Sequence, residues 1–119
     1  MTIKFSFCTL VNNQSLYDNF LKSAKSVGFA GDCEFLVTDN IDTNQVDAYS
    51  GLNSLIDRSS GEFVILCHQD ILFDFDTRYT LENRLNELEK VDPTWGVCGI
   101  AGSNADGSAA MRITHLNEV

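Results

Sequence analysis

The segment Phe63–Asp70 constrains the fold of this chain more than any other part of its sequence. It joins an apolar run of five residues, introduced by Ser-Gly-Glu, to the triplet His-Gln-Asp. Such a run predicts a strand buried on both faces, as in parallel sheets that are covered by helices. Because ligands of open α/β sheets bind outside the carboxyl ends of the strands, the triplet lies where a ligand would bind.

Strand-like and helix-like patterns alternate along the rest of the chain. Further strands are predicted over residues 3–11, 34–39 and 95–102, with helices over roughly 15–28, 45–59 and 77–91 and an antiparallel return over 109–114. This order is typical of βαβ units. We therefore expect a three-layer α/β/α fold with a mainly parallel sheet, in one domain over residues 1–119.

Composition and charge narrow the function classes. The chain has a net charge of −9, and its eight Lys and Arg residues are scattered, so binding to nucleic acid is not expected. An anionic ligand would need backbone donors or a divalent cation to offset the field of the protein. The sequence shows no secretory signal and no apolar stretch long enough for a membrane span, which makes a cytoplasmic, non-transmembrane protein the default expectation.

Four cysteines are widely spaced, at positions 8, 33, 67 and 98. Free thiols are the expected state, since three of the four fall in apolar strand-like segments. A zinc site beside Cys67 and His68 is the alternative, and we reject it because no Cys-x-x-Cys pair accompanies them.

Polar residues at the predicted strand ends are the candidates for function. Asp70 is either a metal ligand or a carboxylate that caps the next element, and both remain open. Asp39 is either a partner of a ribose or a solvated turn residue, and a lone histidine such as His68 is more often structural than a ligand. On the second helix, 100° per residue places Asn53 on the side that faces the sheet, where a buried amide needs partners.

Several common motifs are missing from the sequence. The glycines after position 98 do not form Gly-x-Gly-x-x-Gly, and no Walker A lysine exists, which disfavours dinucleotide oxidoreductases and P-loop enzymes. No Gly-x-Ser-x-Gly turn supports a hydrolase. A phosphoacceptor receiver domain needs an acidic pair after the first strand, where this chain has Asn12 and Asn13.

Taken together, the sequence resembles bacterial family 2-like glycosyltransferases of the GT-A fold. The resemblance covers nearly the whole chain, and its most specific part is the Ser-Gly-Glu to His-Gln-Asp segment. The other motifs are Thr9-Leu-Val-Asn-Asn13, Asp39-Asn40, Tyr49-x-x-x-Asn53 and Gly96-Val-Cys-Gly-Ile-Ala-Gly102.

The resemblance implies a nucleotide-sugar donor site, with UDP- or GDP-sugar as the donor. Asp70 would stand at the last position of the Asp-x-Asp-type motif and hold Mg²⁺ or Mn²⁺ on the diphosphate, with His68 replacing the first aspartate. The residues implied to bind the sugar nucleotide are Thr9, Val11, Asn12, Asp39, Asn53, His68 and Gln69.

The resemblance also implies a part that is missing here. The acceptor-binding residues and the catalytic base of such enzymes follow the glycine-rich fourth strand, so the fold is expected to be a truncated one and the base is not identifiable. We therefore expect the donor-binding part of a glycosyltransferase with an unknown acceptor, or alternatively a non-catalytic α/β binding or interaction module derived from that fold. The sequence leaves open whether the chain forms a homo-oligomer and whether a second chain completes the site.

Overall fold

The computed structural model describes residues 2–41, 46–99, 101–103 and 105–111. These residues fall into two compact units, Met1–Asn83 and Arg84–Val119, which we describe separately. The elements in chain order are β1 (Phe5–Val11), α1 (Gln14–Ser26), β2 (Cys33–Asp39), α2 (Ala48–Arg58), β3 (Phe63–Leu66), α3 (Arg78–Val91), β4 (Ala101–Ser103) and β5 (Ala109–Met111).

A three-stranded parallel sheet organises the first unit. Its order is β2-β1-β3, so β1 lies between the other two strands. Phe5 is the first paired residue of β1 and lies opposite Cys33 on one side and Phe63 on the other, so all three strands run towards one carboxyl edge. The predicted α/β class with a parallel sheet is thereby confirmed.

The helices α1 and α2 pack on opposite faces of this sheet. The Phe7 ring meets Phe20 of α1 with ring centroids 5.9 Å apart. Leu10 lies three residues further along β1 and therefore points to the other face. There it meets α2, because a Cβ built on Gly51 would lie 2.6 Å from Leu10 Cδ2.

Aromatic rings fill the side of the sheet that α1 covers. Phe7 stacks on Phe35 of β2 at 5.0 Å and meets the edge of Phe29 at 5.1 Å. Phe73, which follows β3, packs against Phe29 at 5.3 Å and brings the chain after β3 back onto the core. Since aromatic rings bury large apolar areas, this cluster supplies much of the stability of the unit.

The prediction that β3 is buried on both faces is wrong. Val64 is 40% exposed and Leu66 is 49% exposed, while the alternate residues Phe63 and Ile65 are partly buried. The reason lies in the extent of α2, which packs over β1 and β2. The face of β3 on that side is consequently left open to solvent.

In the second unit, β4 and β5 pair antiparallel, with Gly102 opposite Ala110. The predicted antiparallel return is confirmed for Ala109–Met111, and its remainder over 112–114 lies outside the described residues. The predicted strand over 95–102 is wrong over 95–99, which have no regular structure. Two glycines in this short stretch weaken its preference for a strand, and Val97 is 96% exposed.

No helix in the described part of the chain combines the length and the apolar character that crossing a membrane requires.

Candidate functional site at the carboxyl edge of the sheet

A cleft of about 760 Å³ lies where β1, β2 and β3 end. Its floor and walls come from the turn after β1, the residues after β2, the start of α2 and the triplet after β3. The lining residues are Leu10, Val11, Asn12, Asn13, Asn40, Ile41, Val46, Asp47, Ala48, His68, Gln69 and Asp70. The position agrees with the rule that ligands of open α/β sheets bind beyond the carboxyl ends of the strands.

The Gln69 side chain links the end of β3 to the turn between β1 and α1. Its Oε1 accepts hydrogen bonds from the backbone N–H groups of Asn12 and Asn13, at 2.9 and 3.0 Å. Its Nε2 donates to Asn12 Oδ1 at 2.5 Å. Asn13 in turn caps α1, accepting from the backbone N–H of Leu16 at 3.1 Å. One neutral side chain thus fixes the relative position of two walls of the cleft.

Asn40 and Asp47 shape the opposite wall. The Asn40 backbone N–H donates to the carbonyl of Val11 at 2.7 Å, and its Nδ2 donates to the carbonyl of Val46 at 3.1 Å. Asp47 caps α2 by accepting from the Ser50 backbone N–H at 2.7 Å, a bond that lowers the pKa of the Asp47 carboxyl.

Asn40 also presents a buried acceptor, its side-chain Oδ1. Its Oδ1 is buried and has no hydrogen-bond partner among the described residues. A buried polar atom without a partner is uncommon in folded proteins and costs free energy. The wall around Asn40 is therefore a place where a donor group from outside the chain would be stabilising.

The charge of the cleft is negative. Its acidic side chains are Asp47 and Asp70, and no Lys or Arg occurs among the described residues that line it. Carboxamides supply most of the remaining polar atoms, and they offer both donors and acceptors. Such a lining suits an uncharged or positively charged polar ligand, whereas an anion would meet unfavourable charges.

Five of the predicted site residues come together in this cleft: Val11, Asn12, His68, Gln69 and Asp70. Thr9 lies below it, fully buried, with its Oγ1 at 3.3 Å from Cys67 Sγ. Asp39 does not line the cleft, and its Oδ1 accepts from the Ile41 backbone N–H at 2.9 Å, as expected of a turn residue.

The expected burial of Asn53 against the sheet is wrong, because Asn53 is exposed. The buried positions of α2 are Gly51 and Leu55. Asn53 lies midway between these two, about 200° around the helix from each, and so faces away from the sheet. Tyr49, the other named residue of the Tyr49-x-x-x-Asn53 motif, is also 81% exposed.

Sequence reasoning did not select Asn13, Asn40 and Asp47 as site residues. Two of them carry a local signal, because Asn and Asp immediately before a helical pattern predict an N-cap. Asn40 carries none, since its role depends on the carbonyls of Val11 and Val46.

No group of three or more His, Cys, Asp or Glu side chains that could hold a metal occurs in the described residues. The cysteines are free, and burial raises the pKa of the Cys8 and Cys67 thiols. The described side chains therefore do not form a metal site by themselves.

No protein-family model matches the chain. A curated relative from Fuscovulum blasticum, described as "ATP synthase subunits region ORF 6", is 37% identical over 123 aligned positions. The alignment covers 99% of this chain and 49% of the relative, so the chain spans about half the length of that protein.

The predicted function, a glycosyltransferase that binds a nucleotide-diphosphate sugar with a divalent metal, is contradicted by this comparison. The relative is named for a region of ATP synthase subunits and not for a glycosyltransferase. The sugar-nucleotide donor and the transferase activity are withdrawn with it, as is the alternative of a module derived from such an enzyme.

Proposed function

We propose that this chain is a small-molecule-binding α/β domain whose ligand occupies the cleft at the carboxyl edge of the sheet. The ligand is uncharged or positively charged, and it has hydrogen-bond donors beside an apolar part. The observation that carries this proposal is the lining itself, which combines carboxamides and two carboxylates with apolar side chains and, in the part of the chain that the structure describes, includes no Lys or Arg.

The apolar part of the ligand has a matching surface. Val11 is buried, and Leu10, Ile41 and Val46 add aliphatic groups to the same wall. Ligand pockets are commonly lined by apolar side chains with a few polar groups that fix orientation. The volume of about 760 Å³ lies within the range of about 300–1,000 Å³ that is usual for small-molecule sites.

The polar part of the ligand would meet Asp70, Asn40 and the side-chain carboxamides of the turn after β1. Asp70 is exposed at the rim, where its carboxylate can attract a cation without a large desolvation cost. The buried Oδ1 of Asn40 would accept a donor from the ligand once the wall adjusts to it.

Nuclear magnetic resonance on the ¹⁵N-labelled protein tests this proposal with three probes of defined charge. Spermidine is the cationic probe, adenosine is the uncharged probe, and adenosine monophosphate is the anionic counterpart of adenosine. Spermidine or adenosine is expected to shift the amide signals of Asn12, Ile41 and Asp70. Without a divalent cation, adenosine monophosphate is expected to bind more weakly than adenosine, because the cleft offers it no cationic side chain.

Two variants separate a specific site from general attraction to an acidic protein. Asp70→Asn removes a charge that lines the cleft and is expected to weaken spermidine binding. Asp74→Asn removes an exposed charge that does not line it and is expected to leave binding unchanged. The proposal is refuted if neither spermidine nor adenosine shifts these signals at millimolar concentration, or if both variants weaken binding equally.

Three finer expectations from the sequence stay predictions. The GT-A assignment is a prediction about the architecture alone, and we infer no activity from it. A Mg²⁺ or Mn²⁺ ion at Asp70 would need the ligand to supply most of the coordinating oxygens. Titration with MnCl₂, read as paramagnetic broadening of the Asp70 amide signal in the presence of adenosine monophosphate, tests that point. Homo-oligomer formation is checked by light scattering.

A further inference from the structure

The segment between β3 and α3 presents apolar side chains and carboxylates to solvent together. Within eight residues of sequence, Leu72 is 63% exposed, Phe75 is 95% exposed and Tyr79 is 73% exposed. Asp74 and Asp76 alternate with them and are exposed as well. We call these five residues the aromatic-acidic surface.

This surface is anchored to the core at both ends. Phe73 points inward, with its ring centroid 5.3 Å from that of Phe29, and its backbone N–H donates to Ser23 Oγ at 2.7 Å. Arg78, at the start of α3, forms two hydrogen bonds with the carboxylate of Asp32, at 2.5 and 2.7 Å. The exposed side chains between these anchors are therefore displayed on a positioned segment, and binding there costs less conformational entropy than binding to a free tail.

We propose that the aromatic-acidic surface docks a protein segment that carries Lys or Arg beside apolar side chains. A single exposed apolar residue is ordinary, but three within one short anchored segment form a candidate contact surface. The aspartates beside them select the charge of the partner, and they belong to a chain whose net charge is −9.

The aromatic rings favour the same partner. A Lys or Arg side chain can lie over the face of Phe75 or Tyr79 while its charge approaches Asp74 or Asp76. The aliphatic stem of that side chain would cover apolar surface at the same time. A membrane rich in anionic lipid is disfavoured as the occupant, because the aspartates would be repelled by its surface potential.

The test uses two synthetic helical peptides that differ only in charge. One places Leu on one face and Lys on the other, and the second has Glu in place of each Lys. Fluorescence anisotropy of the labelled peptides is expected to show binding of the Lys peptide that weakens with added salt, and no binding of the Glu peptide.

Two protein variants locate the binding. Phe75→Ser is expected to weaken the affinity for the Lys peptide by about tenfold, as loss of a central aromatic contact commonly does. Tyr49→Ser, which removes an exposed ring elsewhere in the same unit, is expected to leave the affinity unchanged. Because both side chains are exposed, circular dichroism should show the native spectrum in both variants.

Four outcomes would overturn the proposal. They are no binding of the Lys peptide, equal binding of the two peptides, equal weakening by Phe75→Ser and Tyr49→Ser, and tighter binding to anionic phospholipid vesicles than to the Lys peptide.

Discussion

Ser6 joins three parts of the first unit at the amino end of the sheet, and replacing it tests how that end is held. Its side chain is fully buried. The Oγ donates to Glu34 Oε1 at 2.6 Å and accepts from the Gly61 backbone N–H at 2.7 Å. The same carboxylate oxygen accepts from the backbone N–H and the hydroxyl of Ser60, at 2.7 and 3.0 Å. Ser6→Ala therefore removes one donor from a carboxylate and one acceptor from a backbone N–H.

The expected loss in the free energy of unfolding is about 2–3 kcal/mol. A hydrogen bond to a charged group contributes roughly 1.5–3 kcal/mol, and a buried donor left without an acceptor costs roughly 1–3 kcal/mol. The two effects do not add fully, because Glu34 keeps its bonds from Ser60. For a domain of this size, the loss corresponds to a decrease in Tm on the order of 10 °C.

The loss should also depend on pH. The hydrogen bond from Ser6 is the largest cause that lowers the pKa of Glu34, followed by the bond from the Ser60 backbone. Because the folded pKa is lowered, the contribution of Glu34 is present above its ordinary value of 4.5 and is lost as the pH falls through the folded value. The difference between wild type and Ser6→Ala should therefore shrink in acid.

Urea unfolding followed by circular dichroism, at pH 7 and again near pH 3, measures both effects. Ser26→Ala is the matched control, because the exposed Ser26 hydroxyl donates only to the carbonyl of Ser23, and we expect it to change stability by less than about 0.5 kcal/mol. The reasoning fails if Ser6→Ala is no more costly than this control, or if its cost is the same at both pH values.

Three further predictions concern other contacts within the first unit. Gly61→Ala would place a Cβ 2.7 Å from the backbone N of Ser6, so urea unfolding should show a loss of about 2 kcal/mol or more, and unchanged stability would contradict the packing described. The hydrogen bond from Arg78 is the main cause that lowers the pKa of Asp32 to about 2, so its contribution is present above the ordinary 3.8 and lost as the pH falls through about 2. Arg78→Met should return that pKa towards 3.8 in a carboxyl ¹³C titration, and an unchanged value would exclude Arg78 as the cause. Gln69→Ala should cost about 1 kcal/mol in urea unfolding and shift the amide signals of the turn after β1, and unshifted signals would refute its linking role.

Most of the sheet and its two flanking helices could be predicted because their signals are local. Apolar runs predicted β1 and β2 within two residues of their observed starts, and helical spacing predicted α1 and α2. The exposure of β3 could not be read in this way. An apolar run predicts that a strand is buried. Which face of the strand stays exposed to solvent depends on how far α2 extends over the sheet.

The position of the site was predictable, but its side-chain partners were not. The triplet was placed at the carboxyl edge because parallel strands end together. Gln69, however, bonds to a residue 57 positions earlier in the chain, which no local pattern reveals. The error on Asn53 has a similar origin. Gly51 is buried against Leu10 of β1 and yet contributes no apolar side chain to a periodicity argument.

The two ends of the sheet are held by different chemistry, and this difference affects how binding can be studied. At the amino end, the carboxylates of Glu34 and Asp32 accept the hydrogen bonds, so acid weakens these contacts. At the carboxyl edge, Gln69 and Asn13 form links through carboxamide groups, which do not titrate, and the Asp47 carboxylate caps α2 with a pKa below its ordinary value of 3.8. The links made by Gln69, Asn13 and Asp47 should therefore persist above pH 5. A change in ligand affinity above pH 5 would consequently report on the charges of the ligand and the lining side chains, and not on a change in the shape of the site.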